Sequence, residues 1–332
     1  MSSPLGIAVS GGPRPSEIIE LVVLAESLGY DSAWIAEGHG GDQFSVLSGC
    51  ALQTSRIRLG TAISSVFVRS IPTIAMAAAT VDDLSQGRFI LGVGSSHRVQ
   101  VVPEHGLEYA KPITRLRESV TIIRQLLATG ATQFDGETVK IENFDLWFQP
   151  RRTALPIYAA AVRPKMMAVC GEIADGIILT RSTLQTGAQV KTQLATGAAL
   201  ADRDPSKIEV TSLLPVAVAE TRAEALNAMR PGLMFYVGFF PRYRQMIADY
   251  GFVEETSAVA DAFAKGEREQ ALRHVTDAMI EASSIAGTPS ECRERIEAYR
   301  ASGIDLPIIS PFARGPNAKA TFEAVIRACA PS

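Results

Sequence analysis

The chain has 332 residues, of which 47% are apolar and 20% are charged, and this balance excludes the disordered, collagenous and coiled-coil classes. Its formal net charge of −3 indicates neither a nucleic-acid nor a membrane partner, so a small-molecule partner is favoured. The four cysteines lie far apart and form no Cys-x-x-Cys pair, which argues against a zinc knuckle, a redox dithiol and a secreted disulfide scaffold. The N-terminal apolar stretch is too short for a signal peptide, and no later run approaches the ~18 residues of a membrane span. We therefore expect a cytoplasmic protein.

The first third of the chain alternates short β-branched runs with longer runs of helical period. Strands are predicted at 5–9, 32–35, 57–63 and 88–91, and helices at 15–28, 44–53, 71–84 and 113–127. The last of these helices has apolar residues three and four positions apart until Gly130 ends it. Four strand–helix units are therefore predicted before the middle of the chain.

The second half interrupts this pattern twice. Alternating residues around Asp135-Gly136 predict a hairpin at 132–148, and the segment 221–282 is helical and poor in strands. Between and after these segments, strands are predicted at 155–160, 176–179, 208–216 and 306–309, and helices at 164–170 and 184–201. The sequence Thr288-Pro289-Ser290-Glu291 has capping-box order and starts a last helix that ends at Gly303.

Eight strands joined by helices, without a linker, favour a single (β/α)8 TIM barrel over residues 1–332, with a helical insertion after strand seven. An open doubly wound sheet is the alternative. Gly92-Val93-Gly94 lacks the third glycine of a dinucleotide fingerprint, and the next predicted helix begins well over ten residues later. The closed barrel is therefore the preferred fold.

Functional groups of such a barrel gather where its strands end. Strand two is followed by Glu37, His39 and Asp42 in a Gly-rich loop, which is either an acid–base pair or a solvated loop. Strand four ends at Gly94-Ser95-Ser96-His97, where the glycine admits an anion or ribityl chain, or merely eases packing. His105, in a long loop, and His274, in the insertion, are interpreted as ordinary surface or packing histidines.

Two further strand exits are apolar or small. Residues 62–69 are predicted to form a wall against a flat, largely apolar ligand. The run Ala161-Val162-Arg163 permits close approach of a ligand, and the helix that starts at Pro164 could hold an anion at its N-terminus. A tight barrel layer with solvent-facing Arg163 is the alternative. No histidine pair has metal-ligand spacing, and no nucleophile elbow, Walker loop or fixed carboxylate pair supports a hydrolase or phosphotransferase.

Six segments, in family order, resemble the bacterial luciferase-like superfamily of flavin and deazaflavin oxidoreductases. They are LAESLGYDSAWIAE, RIRLGTAIS, RFILGVGSS, RLRESVTIIRQLLATG, GEIADGIIL and GTPSECRERIEAYRASGID. The segment AAAVRPKMMAVCGEIADGIIL is similar to the branch that uses coenzyme F420, which includes methylenetetrahydromethanopterin reductases. The resemblance implies a (β/α)8 barrel with an insertion after strand seven.

By position, the resemblance also implies where F420 binds. A non-proline cis peptide is expected at Ala62-Ile63 or one residue away. The implied contacts are Ala62, Ile63 and Ser64 for the ring, Ser95 and Ser96 for the phosphate or ribityl chain, and Ala161, Val162 and Arg163 for the tail.

The implied activity is hydride transfer between C5 of F420 and a small organic substrate, in a cytoplasmic homodimer. His97 or His39 is the candidate proton donor or acceptor, with Glu37 as orienter and Asp42 as a weaker candidate. The branch often has Asp-His where this chain has Glu37-Gly38-His39, and its sugar-phosphate dehydrogenases have a catalytic Glu where His97 stands. A sugar-phosphate substrate is therefore not expected.

The substrate pocket is predicted to include Trp34, Phe67 and the aromatic residues of 235–243, although aromatic residues also serve as plain core. Two other functions stay open at this stage. One is an FMN-dependent monooxygenase, and the other is a non-catalytic flavin-binding protein of the same fold.

Overall fold

A closed barrel of eight parallel strands lies at the centre of the computed structural model, which describes residues 3–9 and 11–331. The described residues form these eight and four further strands. In chain order they are β1 (Gly6–Val9), β2 (Ser32–Ile35), β3 (Arg58–Thr61), β4 (Ser64–Ser65), β5 (Phe89–Gly94), β6 (Ala131–Asp135), β7 (Lys140–Asp145), β8 (Ile157–Ala160), β9 (Gly176–Thr180), β10 (Glu209–Val218), β11 (Ile285–Gly287) and β12 (Leu306–Pro311). The barrel order is β1-β2-β3-β5-β8-β9-β10-β12, and β12 pairs back with β1. The predicted (β/α)8 barrel is confirmed, and the open sheet is excluded.

Helices follow the barrel strands and surround them. They are α1 (Pro15–Ser27), α2 (Gln43–Gln53), α3 (Ile71–Leu84), α4 (Arg98–His105), α5 (Pro112–Thr129), α6 (Pro164–Ile173), α7 (Thr186–Leu200), α8 (Arg222–Phe239), α9 (Pro241–Asp249), α10 (Val253–Ala264), α11 (Arg268–Arg273), α12 (Asp277–Ser283), α13 (Pro289–Ala301) and α14 (Ala318–Ala328). A short 3-10 helix, Pro205–Lys207, precedes β10. None of the helices in the described residues is both long and apolar enough to cross a lipid bilayer.

The interior of the barrel is filled around Trp34. This side chain is fully buried, and its ring centroid lies 5.8 Å from that of Tyr158. Gly60 leaves room for the indole, because a Cβ there would lie 2.4 Å from a ring carbon of Trp34. Trp34 is therefore core packing, and its predicted place in a pocket wall is wrong.

Helix α4 differs from the prediction made for the strand-four exit. It begins at Arg98, four residues after the end of β5, whereas the sequence predicts no helix between this strand and residue 113. His105 is the last residue of α4 and does not lie in a long loop, and Gly106 ends the helix in the left-handed conformation with φ of 67°. The helix escapes detection because it is short, contains Pro103, and buries only Val101.

Two excursions leave the strand–helix alternation. Strands β6 and β7 pair antiparallel, within the segment where a hairpin is predicted. Helices α8 to α12 lie between β10 and β11, in the region predicted to be helical. Strand β11 then extends the sheet by pairing with β10, and β4 pairs with β5 where β3 has ended. The site described next lies between these strand ends and α8.

Candidate active site

A cavity of about 810 Å³ opens at the carboxyl ends of the barrel strands. This volume lies in the range of small-molecule and cofactor sites, roughly 300–1,000 Å³. The predicted site residues that line it are Glu37, His39, Ala62, Ile63, Gly94, Ser95, Ser96, His97, Ala161, Val162 and Arg163. Ser64 is fully buried beneath them, with its hydroxyl 3.5 Å from Glu37. The structure thus brings the carboxyl ends of the second to fifth barrel strands, β2, β3, β5 and β8, to one cavity.

Tightly packed backbone forms the cavity wall after β3. The Ala62-Ile63 peptide bond is cis, as the resemblance implies. The Gln43 side-chain amide donates to the Ile63 carbonyl at 3.2 Å. On the other side, a Cβ on Gly92 would lie 1.9 Å from the Thr61 carbonyl oxygen, so only glycine permits this approach of β5 to β3.

The exit of β5 carries two serines held by Tyr109. The Tyr109 hydroxyl lies 3.3 Å from both the Ser95 hydroxyl and the Ser96 carbonyl oxygen. Ser96 has a positive φ of 52°, which is rare for a residue with a side chain. A Cβ on Gly94 would lie 3.1 Å from the Ile63 side chain. The cavity surface here is therefore shaped by small residues and offers hydroxyl and backbone groups for hydrogen bonding.

Glu37 is occupied by neighbours other than His39. It accepts hydrogen bonds from the Arg69 guanidinium and, at 3.0 Å, from the Ser65 amide. The same guanidinium donates to Asp42. Partial burial acts to raise the pKa of Asp42, but the hydrogen bonds from Arg69 and Ser45 outweigh it and lower the pKa to about 2. Both carboxylates thus hold Arg69 rather than act with a histidine.

His39 lies at the rim of the cavity. Its Nε2 is 3.3 Å from Glu104 of α4, and its side chain is 79% exposed. The pair links the loop after β2 to the helix after β5. His39 thus pairs with Glu104, whereas the sequence suggested a pair with Glu37.

His97 lies deeper, under an aromatic roof formed by Phe235, Tyr236, Phe239, Phe240 and Tyr243. Its ring centroid is 4.9 Å from that of Phe240. Burial, reinforced by the nearby Arg242, lowers the pKa of His97 to about 4. His97 is therefore neutral at pH 7. Phe67 is not part of the roof, because it stacks on Tyr109 with 4.5 Å between ring centroids.

Arg181 is a lining residue that the sequence analysis missed. It follows β9 directly, lies against Tyr236 and is 3% exposed. Its place at a strand end was a usable signal, since the other strand exits were read in that way. Arg163, by contrast, pairs with Asp249 of α9.

The family model for the luciferase-like monooxygenase domain matches residues 2–306. The chain belongs to the luciferase-like monooxygenase family. It is also 30% identical over 315 residues to the 5,10-methylenetetrahydromethanopterin reductase of Archaeoglobus fulgidus, and the match covers 93% of each chain. The protein is thus an oxidoreductase of this family.

Two solved structures resemble the chain over nearly its whole length. The coenzyme F420 dependent tetrahydromethanopterin reductase from Methanopyrus kandleri superposes with a TM-score of 0.86 at 26% identity, and the match covers 98% of each chain. An F420-dependent secondary alcohol dehydrogenase, solved with an F420-acetone adduct, has a TM-score of 0.78 at 21% identity and 99% coverage of each chain. At that identity, the second likeness shows the shared fold alone.

Proposed function

We propose that this luciferase-like protein is an F420-dependent oxidoreductase that transfers a hydride between C5 of the deazaflavin and a small organic substrate. The proposal includes a cytoplasmic homodimer without a nucleic-acid partner. The name of the Methanopyrus kandleri structure supports the choice of cofactor, because that protein shares 26% identity with this chain over nearly its full length.

The observation that carries the proposal is the convergence of three strand exits on one cavity. Ala62 follows β3, Ser95 follows β5 and Val162 follows β8, and all three line the same space of about 810 Å³. These exits are separate in sequence, so their meeting is a property of the fold. They are also the positions at which the resemblance implies contacts to ring, phosphate and tail.

The lining residues fit such a group. Gly94 lacks the Cβ that would fill the space beside Ile63, and the hydroxyl groups of Ser95 and Ser96 suit a phosphate or ribityl chain. Arg163 is itself one of the positions proposed to contact the anionic tail. When bound, F420 supplies a hydride donor or acceptor at C5. The protein then supplies position, exclusion of water and a proton.

The two cavity histidines suit different tasks. His97 is neutral at pH 7 and surrounded by aromatic rings, so we assign it to hydrogen bonding with the substrate rather than to proton donation as an imidazolium. His39 is exposed at the rim and paired with Glu104, so it can exchange a proton with water. Glu37 holds Arg69 and the Ser65 amide, which makes it a positioning residue.

Titration with F420 and FMN tests the choice of cofactor. Trp34 packs with Ala62 and Ile178 under the cavity, whereas Trp147 is 93% exposed. A Trp147→Phe variant therefore leaves Trp34 as the only tryptophan that can report binding. We expect F420 to quench Trp34 emission at low micromolar concentration and FMN to bind at least about tenfold more weakly.

The other functions predict different results. Tight binding of FMN with no binding of F420 would reject the proposal in favour of an FMN-dependent monooxygenase. Binding of F420 without turnover, tested with reduced F420 and a panel of imines, enones and alcohols, would favour the non-catalytic alternative. Turnover that depends on F420 would support the proposal.

A further inference from the structure

Arg181 is a buried cation at the edge of the cavity. Its backbone has a positive φ of 51°, and its amide donates to the Leu213 carbonyl of β10 at 3.0 Å. These features fix the residue directly after β9 and turn its side chain towards α8. There the guanidinium carbon lies 4.3 Å from the centroid of the Tyr236 ring. Arg181 is therefore held firmly between strand six of the barrel and the aromatic roof.

The guanidinium of Arg181 has no carboxylate partner among the described residues. Within residues 3–9 and 11–331, no acidic oxygen lies within ion-pair distance of it, and its one side-chain hydrogen bond is a long one of 3.4 Å to the Ser284 hydroxyl. Its Nε is buried without an acceptor. A buried charge without a partner is costly, and a guanidinium has five N–H groups to satisfy. The guanidinium of Arg181 therefore keeps N–H groups available to donate hydrogen bonds to one anionic group.

The other charges of the cavity do not compensate Arg181. Glu37 is held by Arg69, and Glu104 lies beside His39. Three other arginines line the cavity. Arg163 is paired with Asp249, and Arg242 and Arg314 are exposed to water and need no partner. Arg181 thus differs from them in being buried, and the balance of charge calls for a single negative group beside it.

We infer that Arg181 binds the carboxylate of the substrate, so that the proposed hydride transfer acts on small organic acids. The inference rests on the proposed function. A carboxylate matches the planar guanidinium and supplies one negative charge, whereas a phosphate dianion would leave a second charge unpaired. The side chain contacts Tyr236 and Ser284, neither of which is assigned to the cofactor, and this favours the substrate as the source of the anion.

Benzoate and its neutral isostere benzamide test this inference by calorimetric titration. The aromatic roof suits both rings, so the pair isolates the charge. We expect the wild-type protein to bind benzoate about 10- to 100-fold more tightly than benzamide. Arg181→Met should lose that preference and leave benzamide binding unchanged, and Arg181→Lys should recover part of it. Arg242→Met, which removes an exposed arginine of the same cavity, should keep it.

Several results would overturn the inference. Equal binding of benzoate and benzamide by the wild-type protein would do so without any variant, so a misfolded Arg181→Met protein does not prevent the test. A loss of preference in Arg242→Met equal to that in Arg181→Met would point to general positive potential. An equal loss of F420 affinity in Arg181→Met would assign the residue to the cofactor. Failure of F420 to bind the wild-type protein would instead reject the proposed function, because the benzoate titration needs no F420.

Discussion

The imidazole of His97 packs against the phenol ring of Tyr243, with 4.8 Å between the ring centroids. His97 precedes α4 and Tyr243 lies in α9, so the contact joins the exit of a barrel strand to the helices that follow β10. The same contact helps to shield His97, which is half-buried, and this burial is the main cause of its lowered pKa. A histidine in this position couples the stability of the protein to pH.

We predict that His97 makes the protein less stable in acid. In the folded protein His97 stays neutral down to pH about 4, whereas in the unfolded chain it takes up a proton near 6.5. The unfolded state therefore binds more protons in this window, and the stability present above pH 6.5 is lost as the pH falls towards 4. His97→Gln should reduce this loss by about 1–3 kcal/mol, measured by urea unfolding at each pH.

The control for this experiment is His105→Gln, which removes an exposed histidine at the end of α4. Its free energy of unfolding should follow that of the wild-type protein at every pH. Parallel curves for the wild-type protein and His97→Gln would contradict the prediction.

Gly92→Ala should destabilise the protein severely. The new Cβ would lie 1.9 Å from the Thr61 carbonyl oxygen, and backbone on both strands would have to move. We expect a loss of about 3 kcal/mol in the free energy of unfolding, or failure to fold. Gly38→Ala is the matched change, because a Cβ there has no atom within 4 Å and should change stability by less than about 0.5 kcal/mol. Similar urea midpoints for the two variants would refute the steric argument.

Tyr109→Phe should weaken the binding of F420 with little change of fold. The variant removes the hydroxyl that lies between Ser95 and the Ser96 carbonyl. We expect the affinity for F420 to fall about three- to tenfold, as measured by quenching of Trp34 emission. Tyr30→Phe is the control, since it removes a buried hydrogen bond to Ile326 on the far side of the barrel. It should lower stability but leave the affinity unchanged; an equal fall in affinity would count against a role of Tyr109 in the site.

Arg69→Met should destabilise the loop after β3. It leaves Glu37, whose side chain is 17% exposed, without its cation. We expect the free energy of unfolding to fall by about 1–3 kcal/mol. Lys140→Met breaks an ion pair to Asp135 in which both side chains are more than 70% exposed, and it should change stability by less than about 0.5 kcal/mol. Equal effects in denaturant unfolding would show that burial of the Arg69 ion pair does not matter.

The sequence predicted the barrel well because its units are locally marked. Strand Ser32–Ile35 and helix Ile71–Leu84 have the predicted bounds, and the helix is capped by Ser70, with Pro72 in its first turn. Helix α14 was not predicted, although Phe322, Val325 and Ile326 have helical spacing. It follows the eighth barrel strand, where the predicted elements end. Helix α4 has almost no apolar periodicity to detect.

The candidate site was predictable as a set of strand ends but not as a set of contacts. Glu37 meets Arg69, which lies 32 positions further along the chain, and His39 meets Glu104. Such partners depend on the curvature of the barrel and on the path of loops, which one sequence does not specify. Arg181 could have been selected as a strand-end residue, but its burial becomes evident only when α8 covers it.

The two walls of the cavity have different origins. Its floor belongs to strands locked by hydrogen bonds around a closed ring, whereas its roof belongs to α8 and α9, which lie outside that ring. Substitutions in the aromatic roof can therefore accumulate one residue at a time without disturbing the barrel strands below. A chimera of this chain in which a relative's sequence replaces residues 222–249 should take on the substrate preference of that relative. It should keep the hydride-carrying cofactor of this chain.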